Sequence, residues 1–132
     1  MCTAYYYDLA DGDALDALIL AIEFGDWKAF QALVSVQADI NGRDRSDCYW
    51  TLLMHAVHEE SINMVKGLVE AGADVNLQGA DPDEFPLNIA AWIVNSEPLR
   101  SHRSQTIFDY LAPLTSPELR RIAEQTLIAK HS

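Results

Sequence analysis

The tetrapeptide Ala38-Asp39-Ile40-Asn41 returns 35 positions later as Ala73-Asp74-Val75-Asn76, and each copy closes a helix-patterned stretch that is itself duplicated. At that one offset Ala21, Gly25, Phe30, Leu33 and Val34 correspond to Ala56, Glu60, Val65, Leu68 and Val69. A third copy is partly visible, with Phe85-Pro86-Leu87-Asn88-Ile89-Ala90 lying over Thr51-Leu52-Leu53-Met54-His55-Ala56, one residue short of the earlier spacing. A unit of about 35 residues cannot bury its own apolar side, so it is stable only when stacked on its neighbours, and the chain is expected to be a solenoid.

These residues resemble the ankyrin repeat, in which Thr-Pro-Leu-His-x-Ala opens a first helix, a Gly turn leads to a second helix with a Val-x-x-Leu-Leu core, and Gly-Ala-Asp-Val-Asn follows. Thr51, Leu53, Ala56, Val65, Leu68, Gly72, Ala73, Asp74, Val75 and Asn76 match that pattern. The first copy keeps Leu18, Ala21, Gly25, Leu33, Ala38, Asp39 and Asn41, with Gln37 where Gly is usual; the third keeps Pro86, Leu87 and Ala90 and then departs. The resemblance runs from about Asp13 to Leu111 and implies an all-α ankyrin-repeat solenoid of stacked helix-turn-helix units with projecting finger loops. Met54 stands where the family has its first-helix His, with Ile19 and Asn88 at the equivalent places, so the loops are expected to be less tightly tied.

The division read from this pattern is a single domain over residues 1–132: an N-terminal arm at 1–12, repeats at 13–43, 44–77 and 78–113, and a capping helix at 114–132. Asp13 is suited to cap a first helix reaching Phe24, whose Leu15, Leu18, Ile19 and Ile22 recur at helical spacing. Gly25 ends it, and a second helix over 26–36 presents Trp27, Phe30, Leu33 and Val34. Residues 51–59 and 61–70 form the next pair, with Ser61 as cap and Gly72 in a left-handed conformation past the end. Pro86 opens the third unit in a first-turn position, Pro98 stops its first helix, and residues 96–104 read as an inserted polar loop before a helix carrying Ile107, Phe108, Tyr110 and Leu111. Thr115-Ser116-Pro117-Glu118 has a capping-box arrangement and announces a last helix over 116–129, apolar along Leu119, Ile122, Ala123 and Leu127.

Net charge is −11 and uneven: residues 1–97 hold 17 Asp and Glu against Lys28, Arg43, Arg45 and Lys66, whereas the rest carries +2. An acidic body repels phosphate backbones and attracts a basic protein, so a protein partner, basic where charge guides the encounter, is expected, and nucleic acid is not. No run of about 20 apolar residues is available to span a bilayer, and residues 1–13 lack the pattern of a secretory signal. Cys2 and Cys48 stand far apart without further ligands at metal spacing, which suggests free thiols and a cytoplasmic protein.

His55, His58, Glu59 and Glu60 do not fit the His-Glu-x-x-His order of a zinc helix, and no Gly-rich phosphate loop or Gly-x-Ser-x-Gly elbow is present. No cofactor, metal or catalysis is therefore expected. The resemblance instead places Leu20 and Glu23, His55 and His58, and Ile89 and Trp92 on the concave side, flanked by Phe24, Glu59 and Ile93. The long first finger, residues 42–50, sets Arg43 and Arg45 beside Tyr49 and Trp50, and the acidic second finger ends at Phe85. Aromatic rings dominate interface energetics with few rotors to freeze. The expected partner-binding residues are thus Glu23, Arg43, Arg45, Tyr49, Trp50, His55, His58, Glu59, Phe85 and Trp92. The expected function is non-catalytic protein binding by an adaptor or regulatory subunit, monomeric outside its complex; the alternative is an acidic immunity-type inhibitor that neutralises a basic toxin or nuclease.

Overall fold

A computed structural model of the chain describes residues 14–36, 40–44, 47–97 and 102–129. Asp13, the tyrosine run at 5–7, Arg45, Pro98 and Cys2 lie outside the described residues. Seven α-helices are present among them: α1 (Ala14–Phe24), α2 (Trp27–Val36), α3 (Leu52–His58), α4 (Ile62–Glu70), α5 (Pro86–Ser96), α6 (His102–Leu111) and α7 (Pro117–Ala129), with a 3-10 turn at Ala112–Leu114 before the last. Helices α1 and α2, α3 and α4, and α5 and α6 pack as pairs, and α3 lies between α1 and α5. No strand occurs among the described residues beyond an isolated bridge between Arg43 and Thr51.

The repeat is visible in what is buried. Leu18, Leu53 and Leu87 occupy equivalent positions and are each at most 1% exposed, and Ala21, Ala56 and Ala90 line up beside them. Small Ala in the first helix lets successive pairs approach, while Leu fills the space between them. On the other layer the Phe30 ring lies against Gly67 of α4, so closely that a Cβ there would sit 3.0 Å from the ring edge. A side chain at that position would have to push the Phe30 ring aside.

Local chemistry sets the helix ends. Asp26 Oδ1 accepts from Ala29 N at 3.1 Å, Thr51 Oγ1 from Met54 N at 3.3 Å and Ser61 Oγ from Met64 N at 3.4 Å, each satisfying a free first-turn N–H. Gly25 ends α1 at φ 67°. Its equivalent after α3 is Glu60, which holds φ 59° with a side chain attached.

The duplicated Ala-Asp-x-Asn segment has a mechanical role. Asn41 Oδ1 accepts from Asp74 N at 2.7 Å, and Asn76 Oδ1 accepts from Ser116 N at 2.9 Å, so the first Asn reaches the second unit and the second Asn reaches the residue before α7. Asp74 Oδ1 in turn accepts from Asn76 N at 2.9 Å and fixes the turn between them. The repeated letters are the clasps between units.

The structure differs from the sequence expectations in four places. Helix α6 begins at His102, so Ser104, expected in the polar loop, is a buried helical residue. Thr115 is buried with its hydroxyl donating to Leu111 O at 2.8 Å, and Ser116 Oγ accepts from Leu119 N at 3.5 Å, so the cap of α7 is the serine. Cys48 is disulfide-bonded, against the expectation of free thiols. The fourth concerns how the fingers are tied.

Loss of the family His at Met54 does not loosen the loops. Met54 is fully buried, and the neighbouring His55 turns to the first finger, where Nε2 donates to Asp44 Oδ2 at 2.7 Å. Asn88, the third-unit equivalent of Met54, donates from Nδ2 to Asp83 O of the second finger at 2.8 Å. Different side chains restore the same helix-to-finger tie.

Candidate binding face

The first finger is a tight hairpin held from inside. Asp44 N donates to Trp50 O at 2.8 Å, and Asp44 Oδ1 accepts from Trp50 N at 3.2 Å, while its other oxygen meets His55. Asp44 is 2% exposed, so this carboxylate is the buried post around which the finger is wound. The fingers also join each other: Ala80 N donates to Cys48 O at 2.9 Å, and a Cβ on Gly79 would fall 2.9 Å from that same oxygen.

Tyr49 stands at the tip with its backbone at φ 57° and its side chain 53% exposed. A left-handed tyrosine is held against its own preference, which needs outside support. Arg43 supplies it. Its Nη1 donates to Tyr49 O at 3.1 Å and to Gln78 O, and its guanidinium carbon lies 4.8 Å from the centre of the tyrosine ring. Arg43 is accordingly half-buried and engaged inside the fingers.

Glu23, His58 and Trp92 fall at equivalent positions of three successive units, the first two at the C-terminal ends of α1 and α3 and Trp92 in the second half of α5, which runs on to Ser96. Glu23 is half-buried, His58 is exposed, and Trp92 is 37% exposed. Beside them Phe24, Glu59 and Ile93 form a second column, in which Phe24 and Glu59 are exposed and Ile93 is half-buried. His58 Nδ1 lies 3.6 Å from Glu59 Oε2, a loose ion-pair distance on the surface. Trp50 links this double column to the finger, its ring set edge-on to His55 at 5.4 Å and to His58 at 5.5 Å.

The expected residues therefore divide. Tyr49, His58, Glu59 and Trp92 present side chains outward, and Glu23 does so in part. Phe85 is completely buried and His55 is 6% exposed, so neither offers its ring to a partner: Phe85 fills core at the start of α5, and His55 is committed to Asp44. Trp50 is half-buried, with its indole Nε1 enclosed and without an acceptor among the described residues, so its first duty is to pack between finger and helix. Asp44 was not singled out by sequence, though a lone acid between the two arginines of an aromatic finger was the available signal.

Among the described residues no group of three His, Cys, Asp or Glu side chains converges as metal ligands. No helix among them is long and apolar enough to cross a membrane. The geometry offers a surface of rings and carboxylates backed by a rigid stack.

Comparison with known proteins agrees with this architecture. The family pattern described as ankyrin repeats, in three copies, matches residues 4–92. Ankyrin repeat and SAM domain-containing protein 6 of Rattus norvegicus is similar to this chain, 38% identical over 73 residues that make up 55% of the chain. Those residues span 8% of that much longer relative. The matched residues carry the first two helical pairs, both fingers and the two clasp asparagines, and the chain belongs to the ankyrin-repeat family.

Proposed function

We propose that the chain binds a protein partner on the face made by Tyr49, His58, Glu59 and Trp92, with Glu23 at its edge, and works as an adaptor or regulatory subunit rather than as a catalyst. Ankyrin repeats are general protein–protein interaction modules. The observation that carries the reading is Trp92, 37% exposed in register with His58 and Glu23 on neighbouring units. A large ring left open on a rigid face has the character of an interface anchor.

A second reading, an acidic inhibitor of a basic protein, is favoured by where the charges lie. The body's lysines, Lys28 and Lys66, are exposed on α2 and α4, the second helices of their pairs. Asp47, Asp81 and Asp83 are exposed on the fingers, where Arg43 is already engaged. The exposed finger carboxylates favour encounter with a basic surface.

The test is to pass the proteome of the native host over the immobilised chain and over its Trp92→Ala variant in parallel. A partner held by the native chain and lost from the variant, with the melting temperature of the variant within a few degrees, supports the reading. Partners held equally by both would remove Trp92 from the interface and the reading with it.

A further inference from the structure

We propose, building on the binding face assigned to Tyr49, His58, Glu59 and Trp92, that the partner presents an arginine there. Its guanidinium lies flat on the Trp92 ring and pairs with the Glu59 carboxylate across the seam between α3 and α5.

The seam has the width for such a group. Helices α3 and α5 pack side by side, and packed helices run about 8–10 Å apart. His58 and Trp92 hold equivalent positions on the two helices, and Glu59 follows one residue on, ~1.5 Å further along the axis. The Glu59 carboxylate is turned toward His58, with Oε2 3.6 Å from Nδ1, and so toward the open side of the stack. That contact is loose, and the two side chains are 41% and 36% exposed, which leaves the carboxylate open to a stronger donor. A ring reaching out from one helix and a carboxylate reaching out from the next can together hold one planar cation.

Charge and shape select the occupant. In the double column of Glu23, His58 and Trp92 with Phe24, Glu59 and Ile93, no residue is Lys or Arg. Lys28 and Lys66 stand on α2 and α4, and Arg43 is engaged inside the finger. The face thus offers a ring and a carboxylate without a cation of its own. Among the aromatic rings, that of tryptophan attracts a cation most strongly, and a carboxylate accepts the parallel N–H pair of a guanidinium. Arginine can stack and donate at once, whereas lysine is a point charge without a plane. The chain uses the same combination within its own finger, where the Arg43 guanidinium carbon lies 4.8 Å from the centre of the Tyr49 ring while Nη1 donates to Tyr49 O. An acidic segment would meet Glu59 with like charge, and an apolar side chain would cover the ring and leave the carboxylate without a donor.

The probe is the capped tripeptide acetyl-Ala-Arg-Ala-amide, titrated into the full chain at about 0.15 M salt, where long-range attraction is screened. The Trp92 indole N–H is followed by nuclear magnetic resonance. Beside it runs the same peptide carrying citrulline, which keeps the planar shape and loses the charge. The arginine peptide is expected to move the Trp92 signal and to bind about three- to thirtyfold more tightly than the citrulline peptide. Glu59→Gln should reduce that preference, and Glu70→Gln, exposed at the end of α4, should leave it intact. Equal binding of the two peptides, no response of Trp92 to either, or the same loss of preference in both variants would overturn the proposal. A partner captured through Trp92 by a native chain that shows no preference for arginine would remove the arginine and leave the face.

Discussion

Glu60 occupies a backbone conformation that its first-unit equivalent assigns to Gly25, with φ values of 59° and 67°. A side chain in the left-handed region costs about 1–2 kcal/mol, and glycine's extra unfolded-state freedom takes back about half of that. What Glu60 gains in exchange is one long hydrogen bond, from Ser104 Oγ to its Oε1 at 3.3 Å. Glu60→Gly is therefore expected to raise stability by up to about 1 kcal/mol, read by chemical denaturation. Tyr49 holds a similar conformation with its ring exposed and resting on the Arg43 guanidinium, whose hydrogen bond to the Tyr49 carbonyl does not need the side chain. Tyr49→Gly should leave the melting temperature level or higher while weakening partner binding; a large fall in melting temperature would assign the ring to the fold instead. Trp50→Ala is expected to do the reverse of Trp92→Ala, lowering stability by a few kcal/mol because its ring packs against His55, His58 and the second finger.

At the scale of elements, the helical pairs and the fingers owe their positions to a small set of polar ties. Asp44→Ala removes the acceptor for both His55 and the Trp50 amide in a buried place, and is expected to cost about 2–4 kcal/mol and to loosen the first finger. Asn76→Ala should cost less, about 1 kcal/mol, because the freed Ser116 amide can turn to water. Amide exchange at Ser116 is the sensitive readout, faster in that variant than in the native chain. The helices were legible in the sequence because Leu18, Leu53 and Leu87, and the alanines beside them, repeat at offsets of 35 and 34 residues, and such an offset is a direct record of stacking. The finger chemistry was not legible for a physical reason. Thr51-Leu52-Leu53-Met54 announces the loss of a histidine tie, but a tie depends on where side chains point, and His55 and Asn88 restore it from positions whose letters differ. Likewise Tyr49, Trp50 and Phe85 are alike as sequence, all aromatic and all in fingers, yet one is exposed, one half-buried and one enclosed, because the first finger winds around Asp44 while Phe85 enters the core at the start of α5. The site was thus half readable: the column of Glu23, His58 and Trp92 follows from the repeat, whereas the ring presented by the finger does not.

For the molecule as a whole, the stack separates its tasks between faces. Leu, Ala and Phe30 couple the units, the Asn clasps fix their spacing, and the ends of the first helices with the fingers carry the rings and carboxylates. Because that face is acidic, association with a basic partner should slow by more than tenfold between low and near-molar salt, with the dissociation rate changing far less, in stopped-flow or surface-binding kinetics. A partner held mainly by the Trp92 and Tyr49 rings would instead show salt-independent association, which would favour the adaptor reading over the inhibitor. The most direct measurement is the hydrogen-exchange footprint of the full chain with its partner bound. Protection confined to residues 47–50, 58–59 and 92–93 is the predicted result, whereas protection on α2 and α4, the helices carrying Lys28 and Lys66, would contradict the account.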